Sequence, residues 1–487
     1  MAATVLNMAF NQCSRRVQPL RRAYFSGCGG IAAAAAAARS ACTRSPNFSG
    51  RICSSYREIS TEIFEPAQSG RASGSDLHTF DVVVVGAGII GLTIARQFLL
   101  GSNLSVALVD AAVPCAGATG AGQGYIWRVN KSPGSHKWEL AVRSHGLWEA
   151  LAESVRNEGL DPLQTLGWKK TGSLLVGKTS EDCADLKKSV DKLVDFGVSA
   201  VYLNRDDLLA EEPALKLGDA HGAAFVPGDF QIDAKRTVAY IEKGNRKFAA
   251  EGRYVEFYYE PVTSLLRDES SGEVVAVQTK KNMIRGKKAV IIATGCWTGS
   301  VMDQLLKDSE IDLDFPVKPR KGHLLVLDND NTVELNHALM ESGYLNHASA
   351  AGVSAASDSD ATSISMTATL DPMGRLVLGS SRQLVGFDTE VDETIVQRIW
   401  DRAGDFFPAL KEVSLQDMID NRKVRVGLRP YMPGGAPKIG PVPGFPKMFV
   451  VAGHEGEGLT LALGSAEMIF DMTLGNTPRV DAEPFSM

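Results

Sequence analysis

Apolar and polar positions first fall into a strong pattern about eighty residues into this chain. In Asp81–Asp110, DVVVVGAGIIGLTIARQFLLGSNLSVALVD, four valines (Val82–Val85) lead into a glycine turn, and an apolar repeat of helical spacing follows from Ile89 to Leu100. Val106–Val109 is a second apolar run and ends on Asp110. A short β-branched run suits a parallel strand covered on both faces, so the stretch predicts strand, turn, helix, strand. Gly101 is positioned to stop the helix.

The same pattern predicts helices over His136–Asn157, Glu181–Phe196 and Asp233–Ala250, the last capped by Asp233. Strand material appears at Thr165–Val176 around Gly172, and at Gly222–Val226, Tyr254–Tyr258, Val274–Thr279 and Lys287–Gly295. Leu324–Leu327, Ser363–Thr369 and Arg375–Gly379 alternate like strands of a mixed or antiparallel sheet, with a hairpin turn at Asp371–Gly374. Met448–Val451 is a buried strand, followed by a glycine turn and a helix over Thr460–Leu474. Buried-strand segments return twice after other material intervenes, which predicts two interleaved domains. Residues 77–130, 231–311 and 425–476 form one, and 131–230 and 312–424 the other. The Ala/Ser/Asp-rich 348–362 reads as a flexible loop.

Gly86, Gly88 and Gly91 complete a G-x-G-x-x-G between the first strand and its helix. Gly86 permits the tight turn, Gly88 lets backbone approach a diphosphate, and Gly91 lets the helix pack on the strand. Ile89 and Ile90 begin the helix, whose free N–H groups and positive dipole end suit a diphosphate. A carboxylate at Asp110 can accept from ribose hydroxyls and disfavours a 2′-phosphate. The segment therefore predicts an adenine dinucleotide site.

The first 57 residues differ in kind: eight arginines, no lysine, no acid, many serines, and seven alanines after Ile31. That is the composition of an organelle transit peptide, here assigned to residues 1–75 together with the disordered leader that follows. The Met1-Ala2-Ala3 start favours the chloroplast stroma, while Arg21–Ser26 keeps the mitochondrial matrix open. Removing residues 1–57 leaves 43 Lys and Arg against 57 Asp and Glu, a net charge of −14, which argues against nonspecific nucleic-acid binding. Cys115, Cys183 and Cys296 then remain, too widely spaced for a disulfide framework or a metal site. No run of eighteen apolar residues predicts a transmembrane segment.

Four further segments carry candidate chemistry. AGATGAGQGYIWR (Ala116–Arg128) is small enough for its backbone to lie flat against a large planar ring. VIIATGCWT (Val290–Thr298) is a strand running into a small-residue turn. In VGLRPYMPGGAPKIG (Val426–Gly440), Arg429 can grip a carboxylate through two parallel hydrogen bonds, and Tyr431 can donate to the same group; a structural ion pair and simple packing are the alternatives. In FVVAGHEGEGLTLAL (Phe449–Leu463), N–H groups near Gly456–Thr460 suit negative charge developing on a ring, with His454 shaping the turn and Glu455 and Glu457 solvated. His323 stands either near that ring or in a structural turn.

With these segments in this order, the chain resembles the FAD-dependent amine oxidoreductases that include D-amino acid oxidase, glycine oxidase and sarcosine oxidase, over roughly residues 79–476. The resemblance implies an α/β fold, with a glutathione-reductase-type FAD-binding Rossmann domain interleaved with an α+β substrate domain on a mixed or antiparallel sheet. It puts Gly86, Gly88, Ile89, Ile90, Gly91 and Asp110 at the ADP half, Ala118, Thr119 and Gln123 near the diphosphate and flavin, and Val262 on the adenine side. Thr294, Gly295 and Trp297 would pass the cofactor, and Gly456, Gly458, Leu459 and Thr460 would face the pyrimidine edge. Arg429 would hold the substrate carboxylate, with Tyr431 and His323 as further catalytic candidates. Residues 111–124 hold no histidine and no cysteine follows Cys296, so FAD is expected to be noncovalent.

The implied reaction oxidises the C–N bond of a small amino or imino acid of glycine, sarcosine, D-amino acid or proline type, by hydride transfer to flavin N5. The substrate is then a small carboxylate-bearing amine, and O2 or another acceptor takes the electrons; an oligomer is possible. A 2-hydroxy-acid dehydrogenase is the alternative, using His323 or His454 as base, and a flavin-binding subunit with little activity is another.

Overall fold

Two eight-stranded sheets carry most of the described chain beside one small two-stranded sheet, and the two large ones differ in how their faces are covered. The computed structural model describes residues 76–487 except 308, 310, 312, 329–332, 345–361 and 417–421. The segment expected to be a transit peptide, and all but the last residue of the expected 348–362 loop, lie outside the described residues. In chain order the strands are β1 (Asp76–Val85), β2 (Val106–Val109), β3 (Tyr125–Ile126), β4 (Ser173–Gly177), β5 (Val201–Leu203), β6 (Gly222–Val226), β7 (Phe230–Gln231), β8 (Tyr254–Phe257) and β9 (Val262–Arg267). They continue as β10 (Val274–Thr279), β11 (Asn282–Ile292), β12 (Lys318–Leu327), β13 (Ala338–Glu341), β14 (Ser363–Leu370), β15 (Leu376–Arg382), β16 (Arg422–Tyr431), β17 (Lys438–Pro441) and β18 (Met448–Ala452). The helices are α1 (Ile89–Gly101), α2 (Ala118–Ala121), α3 (His136–Asn157), α4 (Pro162–Leu166), α5 (Ser180–Asp195), α6 (Arg205–Glu211), α7 (Ala234–Arg246), α8 (Thr298–Leu306), α9 (Glu393–Phe406) and α10 (Gly458–Leu474).

The first sheet runs β17-β18-β11-β1-β2-β8, with β10 and β9 added beside β11. β18, β11, β1, β2 and β8 are all parallel. Val82 and Val84 pack under α1, α3, α7 and α10, while Val83 and Val85 pack into the core of the opposite face. Both faces are therefore apolar, which is why the strand reads as an unbroken valine run. The second sheet runs β16-β12-β15-β14-β13-β4-β6-β5, antiparallel except at β13–β4. One of its faces packs on α9 through Leu325, Leu327, Ile395, Ile399 and Trp400.

Several sequence expectations shift. α1 continues through Gly101, because Ser102 supplies the cap and a Cβ at Gly101 would come within 2.9 Å of the Phe470 ring. The strand expected over Thr165–Val176 begins only at Ser173; Asp161 and Pro162 start the short α4 before it. Residues 425–431, expected at the head of the last cofactor segment, belong to the second sheet. β16 pairs with β12 along its whole length, from Lys318↔Tyr431 to Leu327↔Arg422. Both sheets fall within one compact unit.

Candidate active site

A cavity of about 910 Å³ lies between the carboxyl ends of the parallel strands and the face of the second sheet turned away from α9. At one end is the glycine turn. Gly86 holds φ +115°, and a Cβ there would meet Ala293 O at 2.3 Å. A Cβ on Gly91 would meet Gly86 O at 1.8 Å, so Gly91 stands behind the turn and away from the cavity wall. Gly88, Ile89 and Ile90 line the wall. Helix α1 has Gly88 at its cap position, no side-chain cap and no acid in its first turn, which leaves its positive end open. Thr119 Oγ1 accepts from Ile89 N at 3.1 Å and ties α2 to that helix start.

Asp110 ties the turn down from the other side. Its Oδ2 accepts from Ala87 N at 2.5 Å and its Oδ1 from Ala112 N at 2.6 Å. Burial pushes this carboxyl up, and the two N–H bonds pull against it. Val262 lines the same end beside Glu260, which the sequence reading missed; Glu260 accepts from Thr279 Oγ1 and Asn282 Nδ2.

The middle of the cavity is walled by Ala118, Thr119, Gln123, Thr294, Gly295 and Trp297. Small residues decide how closely the walls approach: a Cβ on Gly427 would meet Ala121 Cβ at 2.6 Å. Gln123 Nε2 donates to Val377 O at 3.2 Å and joins this wall to β15. Leu459 and Thr460 line the start of α10 and are held from behind, Leu459 O by Trp148 Nε1 and Thr460 Oγ1 on Tyr125 O. Gly456 and Gly458 complete that turn. Trp127 Nε1 and Asn130 Oδ1, both on the lining, are buried without a protein partner, as expected of atoms facing a polar ligand.

The far end is basic. On β12, Arg320, Gly322 and Leu324 face the cavity. Arg429, opposite Arg320 in register, lies across Gly322, where a Cβ would meet its Nη1 at 2.1 Å. Arg429 Nη1 donates to Ser381 O at 2.9 Å. The Arg320 guanidinium stacks 3.9 Å over the Tyr431 ring and pairs with Glu455 at 3.4 Å. Glu455 sits in the left-handed region at φ +49°, with its Oε2 buried and unpartnered. Arg382 and Tyr344 also line this end. Arg320, Arg382 and Tyr344 were not picked out from sequence, and Glu455, expected to be solvated, is drawn into this end; strand alternation accounts for Arg320 alone, and the others arrive through the tertiary fold.

His323 is not in this group. Strand alternation turns it to the opposite face of β12, where it is fully buried. Its Nε2 accepts from Asp392 N at 3.1 Å, so Nδ1 carries the proton and donates to Ser381 Oγ at 3.0 Å. Burial pushes its pKa down. It joins α9 to the sheet, and its proposed contact with the reacting centre is withdrawn. Glu457, expected to be solvated, is clamped by Lys131 at 2.5 Å and Lys137 at 3.0 Å. Burial raises its pKa, but the two ammonium groups outweigh that and bring it to about 2. His454 is buried against Ser465 Oγ at 3.0 Å, and burial lowers its pKa to about 4.

An open helix terminus beside the acid at the end of β2, and a sheet closing the cavity from the other side, define a dinucleotide-dependent enzyme. The profile of the family described as DAO, FAD dependent oxidoreductase, matches residues 81–472, and the chain belongs to that family. Glycine oxidase of Pseudomonas aeruginosa is 28% identical over 417 residues, 83% of this chain and 98% of its own. The crystal structure of glycine oxidase from Geobacillus kaustophilus aligns with a TM-score of 0.69 at 24% identity, covering 84% of this chain and 98% of that one. L-proline dehydrogenase from P. horikoshii aligns with a TM-score of 0.68 at 19% identity, over 84% and 97% of the two chains. The protein is an FAD-dependent oxidoreductase, and its glycine turn, open α1 terminus and unpartnered lining atoms fit FAD.

Proposed function

We propose that the enzyme oxidises the C–N bond of a small amino or imino acid. The observation that carries this reading is Arg429, held across Gly322 beside the turn that starts α10, with one donor fixed on Ser381 O. FAD, when bound, supplies the two-electron acceptor. The chain's part is to bind and orient. Arg429 takes the carboxylate through its planar fork, and the Glu455 carboxylate, on the lining, receives a substrate N–H. The uncapped first turn of α10 presents N–H groups to negative charge. Noncovalent binding is part of the proposal: among the described residues of the lining, Cys296 is the one cysteine, its thiol pushed up to about 12 by burial, and His454 the one histidine, held by Ser465.

A 2-hydroxy-acid substrate would need a base. His323 is behind the sheet and His454 is buried, so Glu455 is the group that reading would use. Anaerobic mixing of the purified protein with amino, N-methyl amino, imino and hydroxy acids, followed by flavin absorbance, separates the two. Bleaching by amines is expected. Bleaching by hydroxy acids alone, abolished in Glu455→Gln, would replace the reading. No bleaching by any of them would favour a flavin-binding subunit. Import into the chloroplast stroma is part of the proposal and rests on the acid-free, arginine-rich first 57 residues. A fluorescent fusion of those residues found in mitochondria would move it to the matrix.

A further inference from the structure

One arginine suffices to hold the carboxylate of a simple amino acid, yet the basic end of this cavity has three. Arg320 is answered within the protein, by Glu455 and the Tyr431 ring. Arg382 is not answered in the same way. It is only 6% exposed and lies 3.8 Å over the Tyr344 ring, with Nη1 donating to Tyr344 O at 3.1 Å. Its Nε is buried and has no partner among the described residues. The residue also lines the cavity, so the exposed part of its guanidinium can take an acceptor there. That acceptor is not the cofactor diphosphate, which belongs at the α1 terminus beside Thr119. The wall carrying Thr119 reaches β15 at Val377 through Gln123, and Arg382 lies five residues farther along, roughly 16 Å of extended strand.

Arg429 converges on the same spot. A Cβ on Gly456 would lie 3.4 Å from Tyr344 Oη and 3.8 Å from Arg429 Nε, so both groups border one small volume. The Tyr344 phenol registers the two charges: burial raises its pKa, but Arg382 and Arg429 reverse the shift and lower it. With Glu455 set against Arg320, the Arg382 and Arg429 guanidinium groups have no carboxylate partner among the described residues.

We propose that the substrate carries two acid groups, as an amino or imino dicarboxylic acid or its phosphonate counterpart, with one acid on Arg429 and the second on Arg382. This inference rests on the amine-oxidation reading for its reaction, but not for its binding. Each acid would take paired N–H donors from a planar fork.

The test compares diacids with their half-amides on the intact flavoprotein, under anaerobic flavin reduction. D- and L-aspartate are set against D- and L-asparagine, iminodiacetate against its monoamide, and 2-amino-3-phosphonopropionate tests the phosphonate arm. We expect kcat/KM to favour the diacid by roughly 100-fold, with the ratio falling towards one in Arg382→Met. In parallel, malonate should bind at least about tenfold more tightly than acetate by calorimetry, a preference also lost in that variant. Equal rates for diacids and half-amides, with malonate binding no better than acetate, would overturn the second-acid site and leave amine oxidation standing. If no amine of either kind reduces the flavin, the amine-oxidation reading fails, and malonate against acetate still decides the site.

Discussion

The two ends of the cavity are built in different ways. The nucleotide end is made of consecutive residues: a strand, a glycine turn, a helix start and the acid at the end of the next strand. Its ligand groups are mainly backbone, and the side chains that matter are missing ones, at Gly86, Gly88 and Gly91. The substrate end takes Arg320, Tyr344, Arg382, Arg429 and Glu455 from five separated segments. Its ligand groups are mostly charged side chains brought together by the tertiary fold. The first end tolerates no added atom at Gly86 or Gly91, while the second depends on charge and should tolerate loss of bulk better than loss of a guanidinium.

The sharpest way to break this contrast is at Gly91. A Cβ only 1.8 Å from Gly86 O cannot be placed unless α1 moves off β1. Gly91→Ala should therefore cost about 3 kcal/mol or more and strip FAD from the purified protein, read as Tm and as flavin per chain. Retention of full flavin would mean that the turn has slack the geometry denies. At the other end, Arg429→Met should keep its flavin and lower kcat/KM for flavin reduction by about 10²- to 10³-fold. Arg429→Lys should recover only part of that, because an ammonium lacks the planar fork. A loss of flavin in Arg429→Met, with substrate affinity intact in what remains bound, would erase the distinction between the ends.

The same contrast explains what could be read from sequence. Val82–Val85, Gly86, Gly88, Gly91 and Asp110 announce themselves because local geometry alone requires those residue types at those spacings. Asp233 as a cap is legible for the same reason, and its side chain does accept from Arg236 N. β16 was hidden by the proline and glycines around it, and α9 by the absence of any chemistry to draw attention to its amphipathic repeat. Arg382 looks like any surface arginine until β15 is laid beside β14 and β12. Along β15 the facing also changes, with Leu376 and Leu378 packing towards α9 while Ser380 and Arg382 line the cavity. That change accompanies a shift in pairing with β14 between Ile364 and Thr367, which no period-two count along β15 could anticipate.

Acid provides an intermediate test, because the turn joining the two ends contains His454. Its folded pKa, about 4, is depressed from the ordinary 6.5 by burial. Depression means that the neutral ring is favoured in the fold. Its contribution is therefore complete above about pH 6.5 and is lost as pH falls towards 4. The full span amounts to about 3 kcal/mol. Urea unfolding at pH 7, 5.5 and 4 should show that slope, and His454→Asn should flatten it. Glu457, brought to about 2 by Lys131 and Lys137, acts in a lower window, losing its contribution as pH falls from about 4.5 towards 2. A slope unchanged in His454→Asn would assign the acid sensitivity above pH 4 to other groups.

The smallest expected effect on catalysis is at His323, and it separates position in sequence from position in space. Arg320 and His323 are three residues apart on β12, yet strand alternation puts one in the cavity and the other against α9. His323→Gln should cost about 1–2 kcal/mol of stability, since two buried hydrogen bonds are disturbed. It should change kcat/KM for flavin reduction by no more than about threefold, a shift of well under 1 kcal/mol in the barrier. Glu455→Gln, by contrast, alters a carboxylate on the lining and should alter the pH dependence of flavin reduction. If His323→Gln abolished reduction while FAD and fold were retained, the reacting centre would have to lie on the α9 face of the sheet, and the basic end of the cavity would lose its claim to the substrate.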